Sequence, residues 1–317
     1  MQPEIVEEMK RIVDEHFQAE DLKALLHEFL MEKVKEKSIW AKITQYCHLM
    51  LGGSSPHIQR IAALTELLIL ALDIIDDLQD RDNFTKPWMK CPQENTLNAI
   101  IAFIFASFSE LGKLSDGDRR APVPLSSEIS RLIVHSINGQ HKDLNQKIVT
   151  EEDYIAAVQE KSGSLLRFAC YMGYSCIEDC DPKTIEVVDD LAGLIGVIAQ
   201  IDNDVKDVQR YDVKNDLLQK KRTLPILYLL HHSEEDFPIF KQFYDGVVTE
   251  REFLEKKMEC LQYIVDSGCI EYSRIIQTLY VNRAEQLLAS LPTVLPWKDK
   301  FREITLGPFQ IENQQAV

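Results

Sequence analysis

Residues 66–80 read Glu66-Leu-Leu-Ile-Leu-Ala-Leu-Asp73-Ile-Ile-Asp76-Asp77-Leu-Gln-Asp80, an apolar run that ends in four aspartates. No Gly or Pro interrupts it, and apolar residues three and four apart predict a helix. On a helix, positions 73, 76, 77 and 80 share one face. Like charges at i,i+4 cost a few tenths of a kcal/mol per pair at a surface and more where apolar walls lower the dielectric. Two readings stand for this stretch alone: a solvated acidic helix end, or a seat for a cation. Oxygen ligands with nothing soft beside them suit Mg²⁺, which takes one or two carboxylates and fills its shell with water and phosphate oxygens.

Composition narrows the class. The 317 residues are 45% hydrophobic with only 12 Gly and 12 Pro, and long 3.6-period stretches dominate, so an all-α protein is expected. The net charge of -16 opposes a general attraction to nucleic acid or an anionic membrane. Seven cysteines and an N-terminus with no signal-peptide pattern predict reduced thiols in the cytoplasm. The longest apolar run, 61–75, carries Glu66 and Asp73 and is too short to cross a bilayer, so no transmembrane segment is expected.

Outward from the aspartates, amphipathic helices are predicted over 4–37, a further segment over 40–51, and a turn at Gly52-Gly53-Ser54-Ser55-Pro56. The aspartate helix covers about 57–82, and Asn83 to Pro92 connects it to a helix at 96–111 whose apolar residues run nearly all round. Such a helix should lie at the centre of a bundle. A surface loop is expected at 112–126, helices at 127–147, 151–178, 182–209, 223–232 and on to about 290, and an irregular end around Pro292, Pro296 and Gly307. With no fixed-period repeat, one helical domain over 1–317 is the simplest account.

A second acidic cluster follows another apolar run: Gln200-Ile-Asp202-Asn203-Asp204-Val-Lys-Asp207. Taken alone it reads as a solvated helix end; facing the first cluster it would complete a divalent-metal site, with the Asn203 carbonyl as a weaker ligand. Between the clusters lie Gly139-Gln140-His141-Lys142-Asp143-Leu144 and Lys161-Ser162-Gly163. Lys161 sits among residues that read as buried and needs an anionic partner. Asp216-Leu-Leu-Gln-Lys220-Lys221-Arg222-Thr-Leu-Pro225 offers a basic run at a helix start, either a solvated turn or a phosphate seat.

The order DDxxD, GQ..DL, KSG.L, Q..NDxxD and D...KKRTLP over roughly 50–230, with Glu66 ten residues before Asp76, resembles the trans-isoprenyl diphosphate synthase (polyprenyl synthetase) family. The resemblance implies an isoprenoid-synthase helical bundle around a central cavity, two Asp-rich motifs across its mouth, Mg²⁺, an allylic isoprenyl diphosphate as substrate, and a homodimer. It also implies roles for residues. Asp76, Asp77 and Asp80 match the first motif, and Asn203, Asp204 and Asp207 the second. Gln140, Lys161, Ser162, Gln200, Lys221 and Lys86 match substrate-binding positions, with Lys161 also among the catalytic residues. The metal pair is open between Asp76/Asp80, which the literal DDxxD favours, and Asp73/Asp77.

Departures from the family pattern sharpen the expectation. The cationic Gly-Lys-Arg-x-Arg-Pro segment is compared with Gly52-Gly53-Ser54-Ser55-Pro56-His57, which has lost its basic residues, and Thr85-Lys86-Pro87 stands where Arg-Arg-Gly is usual. A pocket without arginines holds a second diphosphate poorly. With Asp-Arg-Asp-Asn after the motif and Lys86-Pro-Trp-Met-Lys90, the chain is similar to ComQ-type isoprenyl transferases of quorum sensing. That implies geranyl or farnesyl transfer to a tryptophan of a pheromone precursor peptide, in a cavity lined by aromatics such as Phe103, Phe105 and Phe168, with Leu68, Ile69 and Leu72 in its wall. The rivals are a chain-elongating synthase or class I terpene cyclase, and an inactive partner subunit.

Overall fold

The computed structural model describes residues 1–117, 122–210, 216–233 and 236–309, and among these it is built from helices with no strand. In order they are Pro3–His16 (α1), Glu20–Lys35 (α2), Trp40–Met50 (α3), Ile58–Asp80 (α4), the single turn Pro87–Lys90 (α5), Gln93–Gly117 (α6), Ser126–Leu144 (α7) and Glu151–Val158 (α8). Ser164–Tyr174 (α9), Pro182–Val208 (α10), Leu224–His232 (α11), Ile239–Tyr244 (α12), Glu250–Glu255 (α13), Lys257–Asp266 (α14), Cys269–Ser290 (α15) and Trp297–Thr305 (α16) complete them. The backbone contacts divide the chain into two compact units, 1–132 with 167–189 and 290–308, and 133–166 with 190–289 and 309–317.

In the first unit α4 is the central helix. Every residue from Ile61 to Ala71 is buried, which its continuous apolar run demands. The polar exceptions are paired: Glu66 accepts from Ser38 Oγ at 2.7 Å and from the Ala41 N–H at 2.8 Å, so a buried carboxylate holds the N-terminal turn of α3. Thr65 and Thr44 share a hydrogen bond at 3.1 Å.

Three expectations change here. The helix apolar nearly all round, α6, is not enclosed: Leu97, Ile101 and Phe105, four residues apart, are 47%, 53% and 69% exposed. Phe105 therefore faces outward, whereas Phe103 and Phe168 are fully buried. Over Gln93–Ser115 this helix is long and apolar enough to cross a membrane, and half of that window is buried in the fold. It also runs past Gly112 to Gly117, because Leu111 and Leu114 continue its buried stripe; the expected loop shrinks accordingly, and 118–121 lie outside the described residues. The irregular C-terminal end holds α16, whose Phe301 is fully buried and whose Trp297 ring lies 5.7 Å from that of Tyr46 in α3.

In the second unit, Ile148, Tyr154, Ala157, Val158, Val197, Ile201, Val205 and Leu224 form one buried cluster that ties α8, α10 and α11 together. A second cluster joins Leu217 and Ile226 to the aromatic side chains of α12 and α13. The predicted helix over 151–178 is interrupted: Gln159–Gly163 form a π-turn between α8 and α9.

Candidate active site

The first acidic motif occupies the last turns of α4, which ends where Arg81 takes a left-handed conformation with φ of 52°. Asp73 and Asp77 are held by named neighbours in the fold. Asp73 is ion-paired with Lys33 of α2, itself only 5% exposed. Asp77 is buried and accepts from Trp88 Nε1 at 2.7 Å on one oxygen and from Asn83 Nδ2 on the other. Burial pushes the Asp77 carboxyl up to about 6, with Asn83 and Trp88 pulling it down and Asp82 pushing it up. Asp76 and Asp80, one turn apart, are half-buried on the same helix end.

The turn compared above with the cationic family segment lies elsewhere. Gly52–His57 opens α4, and at 1.5 Å per residue its start is roughly 27 Å from Asp76. Its lack of cations therefore carries no information about the aspartate end. The turn beside that end is Glu36-Lys37-Ser38-Ile39, fixed there by the Ser38–Glu66 bond and by the Lys33–Asp73 pair just before it. Linear order places both turns ahead of the aspartates; only the folded helix tells which end each one meets. The Gly52 turn has its own anchor: buried His48 pairs through Nδ1 with the Gly173 carbonyl and accepts the Ser55 N–H on Nε2, both at 2.9 Å, which fixes a neutral ring.

Lys86, expected to bind substrate, is held by Glu32 at 3.2 Å and by Glu36, with its ammonium 5.5 Å from the centre of the Trp88 ring. The structure gives it a salt-bridged position in the first unit.

The second motif is the better-built site. A pocket in the second unit, with about 60 Å³ of interior space, is lined by residues that include Gly139, Asp143, Tyr154, Lys161, Gln200, Asp204, Asp207, Asp216, Lys221 and Arg222. That is room for several waters or a phosphate group, since one water needs roughly 15 Å³. A hydrogen-bonded row crosses it. Ser162 Oγ donates to Gln200 Oε1 at 2.8 Å, Gln200 Nε2 donates to Asp204 Oδ1 at 2.8 Å, and Tyr154 OH donates to Asp204 Oδ2 at 2.5 Å. Lys161 Nζ lies 3.6 Å from Asp143, the anionic partner its surroundings required.

Backbone proximity makes this possible. A Cβ on Gly139 would sit 2.4 Å from the Lys161 nitrogen, and one on Gly196 would sit 2.6 Å from the Gly163 backbone. Glycine thus lets α7 and α10 close on the π-turn, which carries Lys161 and Ser162.

The electrostatics show an unmet need for positive charge. Burial pushes Asp204 up to about 6; Tyr154 and Gln200 pull it down, and Asp143 pushes it up. Asp216 is raised further, by burial first and then by Asp204, with Lys221 opposing. Its Oδ2 is buried with no hydrogen-bond partner among the described residues. Oxygen-only donors whose pKa values are raised by burial and then by one another suit a hard dication. Among the described residues no three His, Cys, Asp or Glu side chains close a metal cage by themselves. Mg²⁺ needs no such cage, because one or two carboxylates with water and phosphate oxygens complete its octahedron.

Of the predicted residues, the pocket collects Lys161, Gln200, Asp204, Asp207 and Lys221, with Ser162 bonded to Gln200. Gln140 is half-buried beside Gly139 and Asn203 is exposed on α10, and neither is among the lining residues. Asp143, Tyr154 and Asp216 were not singled out. Asp143 and Asp216 stood inside quoted motifs, yet only folding shows that they converge on Asp204; Tyr154 gave no signal beyond an aromatic on an apolar face.

The polyprenyl synthetase family profile matches residues 24–264. The chain is 30% identical over 291 residues to the tryptophan prenyltransferase ComQ of Bacillus subtilis subsp. natto, covering 90% of this chain and 87% of that protein. It is 27% identical over 249 residues to a geranylgeranyl pyrophosphate synthase of Penicillium canescens, covering 73% and 69%. Among solved structures, the geranylgeranyl pyrophosphate synthase of Lactobacillus brevis superposes with a TM-score of 0.78 at 19% identity, covering 96% of this chain and 94% of that one. A polyprenyl synthase of Caulobacter crescentus, complexed with calcium and isoprenyl diphosphate, superposes with a TM-score of 0.76 at 18% identity over 96% and 97%. The all-α isoprenoid-synthase fold is thereby established for the chain.

Proposed function

The chain belongs to the polyprenyl synthetase family and within it to the ComQ-type isoprenyl transferases, and from that premise we propose that it moves a geranyl or farnesyl group from its diphosphate to a tryptophan of a pheromone precursor peptide. The observation that carries the donor half is the pocket where Asp143, Asp204, Asp207 and Asp216 meet Lys161 and Lys221. The acceptor is inferred from the named activity of the ComQ relative.

Mg²⁺ would be held by Asp204 and Asp207, and at the other motif by Asp76 and Asp80, the pair that the literal DDxxD spacing favours. When bound it supplies Lewis-acid neutralisation of the leaving diphosphate. Lys161 and Lys221 place their ammonium groups against the diphosphate oxygens. Gln200 and Tyr154 hold Asp204 in one orientation, and Ser162 holds Gln200. The allylic C1–O bond breaks with its electron pair leaving on the diphosphate, and indole C3 of the acceptor bonds to C1. Closure of the tryptophan backbone nitrogen onto indole C2 then releases the N–H proton. No protein nucleophile takes part.

Residues 1–317 act as one prenyltransferase domain in this account. Its seven free thiols fit a reducing cytoplasm. A homodimer would cover the outward stripe of Leu97, Ile101 and Phe105 on α6. Incubation with farnesyl or geranyl diphosphate and Mg²⁺, with either a tryptophan peptide or isopentenyl diphosphate as acceptor, tests the function. Prenylated peptide supports it, and a longer diphosphate as the product refutes it in favour of chain elongation.

A further inference from the structure

At the aspartate end of α4 the lysines of α2 and of the following loop are closed off by acids of the same chain. Lys33 lies between Asp73 and Glu36, the latter at 3.6 Å. Lys86 lies between Glu32 at 3.2 Å and Glu36, and Lys35 reaches Glu32 at 3.0 Å. Lys33, Lys35 and Lys86 are thus balanced by Glu32, Glu36 and Asp73. Lys37 on the turn and Arg81 at the C-terminal cap of α4 are exposed.

Of these lysines only Lys35 is well exposed; Lys33 is nearly enclosed and Lys86 is half-buried with its glutamates, so the pairs help to hold α2 and the loop in place. They also act on an incoming anion. A diphosphate arriving beside Asp76 and Asp80 finds Lys33, Lys35 and Lys86 already neutralised, and to bind Lys86 it must displace two carboxylates that are already in place. An uncharged, flat group bears no such cost.

We propose that Glu32 and Glu36 are specificity residues that neutralise Lys33, Lys35 and Lys86, deny this corner to an acceptor that carries a diphosphate, and leave the reaction to an uncharged acceptor such as an indole. The inference rests on the prenyl-transfer reading above and deepens it by assigning the choice of acceptor class to two glutamates of α2.

The test is calorimetric titration of isopentenyl diphosphate into the full chain with Mg²⁺, the donor site being filled by farnesyl thiodiphosphate, which does not ionise readily. Wild type should show no saturable binding. Glu32→Gln/Glu36→Gln should bind at least about tenfold more tightly, since each freed lysine gains a charge-assisted contact, and adding Lys86→Ala should remove the gain. Glu36→Gln alone, which disturbs the fold less, should show a smaller gain of the same sign. Saturable binding by wild type, an unchanged double variant, or a gain that survives Lys86→Ala would each overturn the proposal. The titration uses no peptide, so failure to prenylate tryptophan would sink the functional reading without deciding this one.

Discussion

The indole N–H of Trp88 donates to Oδ2 of Asp77 at 2.7 Å, while Asn83 donates to Oδ1. The most buried aspartate of the first motif therefore ties the loop after α4 back onto the helix. Trp88→Phe keeps an aromatic ring but loses both buried volume and one donor to a buried carboxylate, and should cost at least about 1–3 kcal/mol. A lowered melting temperature is expected. Asp76→Asn and Asp80→Asn should instead leave far-UV circular dichroism and the melting temperature unchanged and abolish transfer; full activity in both would refute the metal assignment.

Glu110 is fully buried on α6 and is contacted by Arg60, His16 at 2.8 Å, Lys113 at 2.7 Å and Arg11 at 3.1 Å. Burial raises its pKa, but hydrogen bonds from Lys113, Arg60, His16 and Arg11 outweigh this and hold it well below the usual carboxylate range. A depressed folded-state pKa contributes stability that is present above the unfolded value, near 4.5, and is lost as the pH falls further. Glu110→Gln should cost about 1–3 kcal/mol at neutral pH through lost charge-assisted hydrogen bonds, since Arg11, Arg60 and Lys113 keep Glu8 and Glu15 as partners. Denaturant melts from pH 7 to 3 should show a shallower acid loss for the variant than for wild type.

Gly196 and Gly139 set the distance between helices at the second motif. Gly196→Ala drives a Cβ to 2.6 Å from backbone atoms of Gly163, and rigid backbone cannot give as a flexible side chain would. A destabilisation of about 1–3 kcal/mol or more is expected, together with loss of activity as Lys161 and Ser162 move. A melting curve identical to wild type would contradict the close approach. Lys161→Gln keeps the packing but removes the charge, and should lower kcat by about 10²–10³ with the fold intact.

On α6, Leu97, Ile101 and Phe105 expose an apolar stripe. Ile101→Glu/Phe105→Glu should convert a dimer to a monomer, read by light scattering on a sizing column. Wild type that runs as a monomer would remove the proposed interface.

Much of the fold was legible because α4 and α10 advertise themselves: continuous apolar periodicity followed by carboxylates has few readings other than a buried helix with a charged end. The order of the acidic and lysine motifs then carried the resemblance that the family profile supports. Other features depended on spatial facts. Apolar periodicity could not tell α4, enclosed throughout its middle, from α6, which leaves Ile101 and Phe105 exposed. The π-turn at Gln159–Gly163 has helical composition and leaves no mark in the spacing. Asp216 and Asp143 became site residues only when folding brought them to Asp204, and the Gly52 turn was compared with a motif that its position at the opposite end of α4 excludes.

The central claim is prenyl transfer to tryptophan, and mass spectrometry of a co-expressed pheromone-type peptide tests it most directly. A geranyl or farnesyl mass increment localised to the tryptophan by fragmentation, present with wild type and absent with Asp76→Asn, is the expected result. An unmodified tryptophan in the presence of folded enzyme and allylic diphosphate would contradict the account.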